Sequence, residues 1–435
     1  MHASFLAFMA IACDPASDQE APPSLAPGPQ DILSTDIALD LAALTGHAEV
    51  LVQPEPGTEA IALNVAGLTL TSVTLDGAPT PWTLQGPRLV LPTTGEPLTV
   101  AVDYAFPART YATFDGWMPG LGASFIWPSY CGNLFPCDPS PVDGVTFTMD
   151  VSGHEGTAVF PPSTWSDAPS YQPAVAVGDY TRLDLGTTAA GTTLYAWYLP
   201  DGEADSRAGT ANLLATFDFF ERTYGPYAFG PEAGTVEVDW GPDSYGGMEH
   251  HPVVHVAKWD LWNEETQVHE MAHGWFGDGV RLACWEDFVL SEGTVTYMAA
   301  RALEAVDGPD LWPGYVQWFL TPLCEGRDVN TVVLPETCGV IDFEHSALWS
   351  LAPYMKGACF YEDVGDLIGF DVLDAAIADF YQAHVGTAGR MRDMISTIEA
   401  HAPGQADGIE ALVTDWLLTE ACPLDYAVRC RAHER

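Results

Sequence analysis

The sequence predicts a multidomain α+β protein, a β domain followed by an α/β-then-helical domain that carries a metal site. Three observations carry that expectation. Residues from about 31 to 186 alternate apolar and polar in short runs broken by Gly, Pro and Asp. From Ala208 the texture turns to helical periods mixed with two apolar strands. At His269 the stretch HEMAHGWFGDGVRLACWEDFVLSEG opens with two histidines four apart and a glutamate directly after the first.

In the first region IALNVAGLTLTSVTLDG, RLVLPTTG and PLTVAVDYAF read as strands joined by turns, and TLYAWYLP at 193–200 as one more. In the second, NLLATFDFFERTYG is helical, TVEVDW and HPVVHVAK are strands, and helices are expected at 287–305, 371–384, 390–401 and 408–420. The resulting division is 1–31 signal and Pro-rich linker, 32–200 β domain, and 201–435 the domain with the metal site.

Composition narrows the function classes. The chain has 435 residues and a formal charge of −45, a surface that repels nucleic acid and anionic lipid headgroups. No apolar run approaches the roughly 20 residues of a spanning helix. The start, MHASFLAFMAIAC, runs apolar from Phe5 to Ala12 and ends at Cys13 before a Pro-rich tract. It resembles a bacterial lipoprotein signal, with Cys13 as the acylated residue and an exported, membrane-anchored or secreted protein as the consequence. The eight other cysteines are an even set suited to disulfides in an oxidising compartment. Short separations suggest Cys131–Cys137, Cys324–Cys338 and Cys422–Cys430, which leaves Cys284 to Cys359.

The HExxH spacing is not a product of composition. With 12 His and 25 Glu in the chain, one such match is expected about 0.02 times by chance. Asn263 is a plausible N-cap, and Glu264 and Glu265 fall in a first turn that favours acids. The helix is expected to run toward Gly277 and Gly279. Residues four apart share a helix face, so His269 and His273 project together. A second helix from near Glu286 returns Glu292 to that face. Two imidazoles and one carboxylate leave a tetrahedral zinc one open position for water, the pattern of a catalytic site; a structural zinc is usually closed by four protein ligands. Glu270 is placed to take a proton from that water.

Four segments together resemble the aminopeptidase N family of gluzincin zinc metallopeptidases. HEMAHGWFGD followed by WEDFVLSEG is similar to the family's zinc signature, and GGMEH at 246–250 to its GxMEN substrate motif. YMKGA at 354–358 resembles the segment with the catalytic tyrosine, and NLFPCDPSP at 133–141 the end of the family's N-terminal β domain. The fold implied is an N-terminal antiparallel β saddle or sandwich domain followed by a thermolysin-like α/β-to-helical catalytic domain. Against this pattern a short form is expected, lacking the family's C-terminal helical domain.

The resemblance implies one zinc ion per chain on His269, His273 and Glu292, Glu270 as general base, and Tyr354 as hydrogen-bond donor to the oxyanion. It implies a peptide substrate bound by Gly246, Gly247, Met248 and Glu249. Glu249 would pair with the peptide's free α-ammonium at the end of an edge strand, taken as HPVVHVAK. His250, His251 and His255 are strand residues with no metal assigned. Three positions depart from the family pattern: His250 stands for the usual Asn of GxMEN, Ser291 for the Asn before the third ligand, and Trp127 where many members carry an amine-binding Glu or Gln. The leading expectation is a zinc aminopeptidase. A zinc endopeptidase or other hydrolase needing no free amine is the second, and a non-catalytic surface binding lipoprotein with structural zinc is the third.

Overall fold

The computed structural model describes residues 26–110, 115–162, 164–241, 244–338 and 345–430. The signal-like segment with Cys13 lies outside the described residues. Among the described residues no helix is long and apolar enough to cross a membrane.

A seven-stranded sheet forms the N-terminal part. At its centre Gln30–Asp40 pairs antiparallel with Thr45–Pro54, which pairs with Leu98–Ala105. The alternation in the sequence is the alternation of burial: Ile37, Leu39, Ala48, Val50, Val100 and Val102 point into the core while their neighbours face out. The sheet departs from the antiparallel expectation at one pair, because Gln30–Asp40 lies parallel to Val145–Ser152. A hairpin cannot make that pairing; the intervening chain builds other strands of this sheet and the three-stranded sheet of Ala60–Asn64, Arg88–Pro92 and Thr83–Gln85 before it returns.

A second, five-stranded sheet supports the site, in the order Thr181–Thr187, Thr193–Tyr198, Glu232–Val238, Val253–Ala257, Gly247–Met248. Thr193–Tyr198 runs parallel to Glu232–Val238, connected through the helices Glu203–Gly209 and Leu213–Thr223. The division expected at residue 200 therefore falls within this sheet, since two strands read as part of the first domain hydrogen-bond onto the second. Glu232–Val238 and Val253–Ala257 are buried almost throughout, as parallel strands covered on both faces are. HPVVHVAK is consequently not the edge. Val253–Ala257 is flanked on both sides, and the edge is the short Gly247–Met248.

The remainder is helical. Phe288–Ala305, Phe370–His384, Met391–His401 and Ala406–Trp416 match the four helices expected from periodicity, with the last ending sooner. Beyond Trp416 the carbonyls are taken elsewhere: Leu417 accepts from the amides of Val333 and Leu334, and Thr419 from the Lys356 ammonium. A further helix, Leu351–Ile368, packs along Phe288–Ala305, with Gly293 and Gly357 back to back. A methyl group on Gly357 would lie 2.5 Å from the Gly293 Cα, so the two backbones meet more closely than any side chain permits.

Of the disulfides expected from short separations only Cys131–Cys137 forms. The others are Cys284–Cys338, Cys324–Cys422 and Cys359–Cys430. Tertiary packing, not loop length, selects them: Cys359 lies in the middle of Leu351–Ile368, where the C-terminal turn docks. There Arg429 reaches Asp363 at 2.8 Å and Asp415 at 3.0 Å, and Cys430 follows it.

Candidate active site

The helix carrying the histidines spans Glu264–Ala272, and the Asn263 side chain caps it by accepting from the Glu265 amide at 3.2 Å. It stops at His273, short of the expected run toward Gly277. The chain turns sharply there, and the turn has a use. Gly277 has φ +99, and a methyl group on it would meet His273 Nδ1 at 2.7 Å. Through this turn the Phe276 carbonyl accepts from His273 Nδ1 at 3.0 Å. That bond fixes the proton on Nδ1 and leaves the Nε2 lone pair facing the cleft.

The helix Phe288–Ala305 brings in Glu292. One of its oxygens lies 3.2 Å from His269 Nε2 and 3.5 Å from His273 Nε2. Three donor atoms thus converge from two helices within 4.8 Å of one another, all on buried residues. Ser291, the neighbour of Glu292, sets its hydroxyl 3.4 Å from His273 Nδ1, behind the ligand. The donor set and the fixed tautomer of His273 fit a zinc ion.

The electrostatics agree with a site built for a cation. Burial alone would lower the His273 pKa, but Glu292, Glu249 and Glu270 outweigh it and raise the pKa well above the usual imidazole value. For Glu292 burial works upward, yet His273 and His269 pull the carboxyl down to about 2.

Glu270 projects from the same helix turn. Its carboxyl lies against Gly247 of the edge strand: a methyl group there would stand 2.4 Å from Glu270 Cγ. Glu249, Glu270 and His273 each offer an atom within 4.8 Å of the others. Burial, then the neighbouring Glu249, Glu292 and Glu265, raise the Glu270 pKa well above the carboxylate range, against the pull of His273. Burial likewise raises Glu249, opposed by His273. Tyr354 stacks on His269 with 5.9 Å between centroids, and burial with the surrounding Glu292, Glu249 and Glu270 keeps its hydroxyl protonated. Gly246 and Met248 flank Gly247, the first accepting from the Ala257 amide at 2.7 Å and the second buried. All nine candidate residues line one cleft of about 470 Å³.

The three histidines left without a role are buried beneath the cleft. His251 accepts from the Tyr227 hydroxyl at 2.7 Å and donates through Nε2 to the Glu270 carbonyl at 3.0 Å. His250 donates through Nδ1 to the Tyr171 carbonyl at 2.9 Å. Tyr171 and Asp278 are buried and within electrostatic reach of each other and of Glu249, and neither was singled out in the sequence. Tyr245, Phe288, Trp349 and Trp127, which wall the cleft, were not assigned to substrate either. Two of them had a signal, since Tyr245 directly precedes GGMEH and Phe288 lies inside WEDFVLSEG.

A sheet whose edge lies beside an HExxH helix, and a third ligand from the helix that follows, define the class of gluzincin-type metallopeptidases. Residues 246–416 match the Peptidase family M1 domain. It is 26% identical over 354 residues to the thyrotropin-releasing hormone-degrading ectoenzyme of Homo sapiens, covering 70% of this chain and 32% of that protein. It is 26% identical over 271 residues to aminopeptidase B of Rattus norvegicus, covering 54% of this chain and 39% of that protein. The chain thus spans about a third of the length of these relatives. The fold is shared with the M1 zinc metallopeptidase from Deinococcus radiodurans, at a TM-score of 0.75 and 18% identity over 92% of this chain and 97% of that one.

Proposed function

We propose that this chain is a zinc-dependent aminopeptidase that removes N-terminal residues from peptides. Zinc on His269, His273 and Glu292 would supply a water of lowered pKa, toward ~7, and a Lewis acid for the scissile carbonyl. The chain's own residues do the rest. Glu270 accepts the proton of the attacking water on its carboxylate and returns it to the departing amine nitrogen. The Tyr354 hydroxyl donates to the carbonyl oxygen as that oxygen gains negative charge. Backbone groups of Gly247 and Met248 hold the substrate extended along the sheet edge, and Glu249 pairs with its α-ammonium.

The observation that carries the reading is the meeting of Glu249 and Glu270 beside His273, with all three atoms within 4.8 Å. An amine held by the first carboxylate leaves the first peptide bond beside the second. The names of the two curated relatives, a hormone-degrading ectoenzyme and an aminopeptidase, support the same substrate class. The test compares one peptide with its N-acetylated form. Cleavage of the free form should exceed that of the blocked form by on the order of 10²-fold or more, the scale of a lost charge-assisted contact in a dry site, and Glu270→Ala should abolish both.

One observation favours a second reading, a zinc endopeptidase or other hydrolase indifferent to the amine. Trp127 lines the cleft together with Glu249 and brings no second carboxylate to an ammonium. Equal rates on free and blocked peptide decide for that reading.

A further inference from the structure

The cleft has two chemically different ends. One is a run of rings. Tyr354 meets Phe288 edge-on at 6.0 Å, and Phe288 meets Trp349 at 4.3 Å. Trp349 meets Trp127 edge-on at 5.9 Å, and Trp127 stacks on Tyr245 at 4.9 Å and 24°. Behind them Phe125 lies 11° from parallel with Trp127 and is fixed in turn by Trp240 at 5.0 Å. The other end, around Asp260, Glu265, Thr266 and Tyr315, is polar and acidic. Glu249 belongs with the rings, because His250, the residue after it, meets Phe125 edge-on at 6.1 Å and Phe125 backs Trp127. The start of the edge strand lies at the acidic end: a methyl group on Gly246 would stand 2.7 Å from Asp260 Oδ2, and the Tyr315 hydroxyl donates to Glu265 at 3.0 Å.

We propose that the ring end receives the side chain of the peptide's first residue, and that Trp127 makes the enzyme selective for aromatic and large aliphatic N-terminal residues. The inference rests on the aminopeptidase reading, since an amine held by Glu249 is what turns the first side chain toward the rings. Departing residues then leave past Glu265 and Asp260. At the ring end Trp127, Pro128, Tyr245, Phe288, Trp349 and Leu351 offer neither a carboxylate nor a cationic group. With Glu249 taken by the α-ammonium, an Arg, Lys, Asp or Glu side chain would give up water there without a free opposite charge to meet among the described residues. An alanine side chain leaves the ring faces uncovered. A phenyl ring or leucine side chain covers them, in the offset and edge geometries the rings already use among themselves. Trp127 is the central member because it touches both Tyr245 and Trp349, and its contact with Phe125 holds its plane. Tyr245 exposes 52% of its surface, so a bound side chain has area to bury.

The test is a series of aminoacyl-4-nitroanilides with one leaving group. Phe and Leu should exceed Ala in kcat/KM by roughly 10–100-fold, the range for apolar groups in a fitted pocket, with Arg and Glu below Ala. Trp127→Ala should compress the Phe-to-Ala ratio about tenfold, and Trp127→Leu, which keeps more of the volume, should compress it less. Circular dichroism matching wild type shows that each variant folds. Ala, Arg or Glu substrates cleaved as well as Phe overturn the proposal, and so does an unchanged ratio in both folded variants. Failure of the aminopeptidase reading looks different: no aminoacyl substrate is turned over. Calorimetric titration of phenylalaninamide against alaninamide into zinc-loaded protein then reads the pocket directly. Binding about tenfold tighter for the former, lost in Trp127→Ala, sustains the ring pocket, and equal binding removes it.

Discussion

Replacing Gly247 with alanine tests whether the edge strand holds the general base in place. A methyl carbon on Gly247 would stand 2.4 Å from Cγ and 2.6 Å from Cδ of Glu270. Carbon atoms ordinarily meet at about 3.5–4.0 Å. Gly247 is paired with Val256 in the sheet, so the backbone stays and the glutamate gives way, by about 1 Å to restore ordinary contact. A displacement of that size at a group positioned for proton transfer costs roughly 10²-fold in kcat, or about 3 kcal/mol. The overpacking itself costs about 1–3 kcal/mol of stability. Glu270 is outside the His269, His273, Glu292 set, so metal content should not change. The assay is kcat on a chromogenic aminoacyl substrate, with zinc stoichiometry by elemental mass spectrometry on the same sample. A folded Gly247→Ala protein with kcat within about threefold of wild type would falsify the placement of Glu270 against this strand. Loss of zinc would instead show that Glu270 is tied to the metal.

Tyr354→Phe removes one donor to the developing oxyanion and should lower kcat by about 10²–10³-fold with KM little changed; a KM effect alone would assign Tyr354 to ground-state binding. His251 is buried and neutral, held by burial down to about 3 from an ordinary 6.5. Between those values the unfolded chain binds the extra proton, so this histidine's contribution to stability is complete above about pH 6.5 and falls as pH drops toward 3. The loss amounts to about 2 kcal/mol between pH 6.5 and 4.5. Urea unfolding of wild type and His251→Gln should therefore show a stability gap that narrows by roughly that amount over the interval, and a constant gap contradicts a buried neutral imidazole.

The parts of the site legible in the sequence are those fixed by local geometry. The Asn263 cap, the shared face of His269 and His273, and the return of Glu292 follow from helix period and capping chemistry, and the structure brings these residues together. What depended on tertiary packing was not legible. Cys284, Cys324 and Cys359 found partners 54, 98 and 71 residues away. Short separation ranks loop closure but says nothing of which helix faces meet. Val253–Ala257 reads as an edge because it follows GGMEH, yet Gly247–Met248 folds back beside it and takes that place. The ring wall draws Trp127, Tyr245, Phe288 and Trp349 from four separate segments, so periodicity within any one of them is silent about it.

The density of acid in this cleft bears on why a free amine should be the preferred partner. Glu249, Glu270, Glu292 and Asp278 are all buried around two imidazoles, and burying several carboxylates together is unfavourable unless protons or cations compensate them. Glu292 is compensated by the histidines, which draw its pKa to about 2. Glu249, Glu270 and Asp278 are pushed upward by burial and by one another, so each is held ready for a positive partner. The proposed function brings two: a divalent metal at the triad and an α-ammonium at Glu249. An acetylated peptide brings the same backbone without the second charge and leaves Glu249 desolvated beneath a neutral amide. The discrimination expected between free and blocked peptides therefore follows from the cost of the uncompensated carboxylate as much as from the contact the ammonium makes.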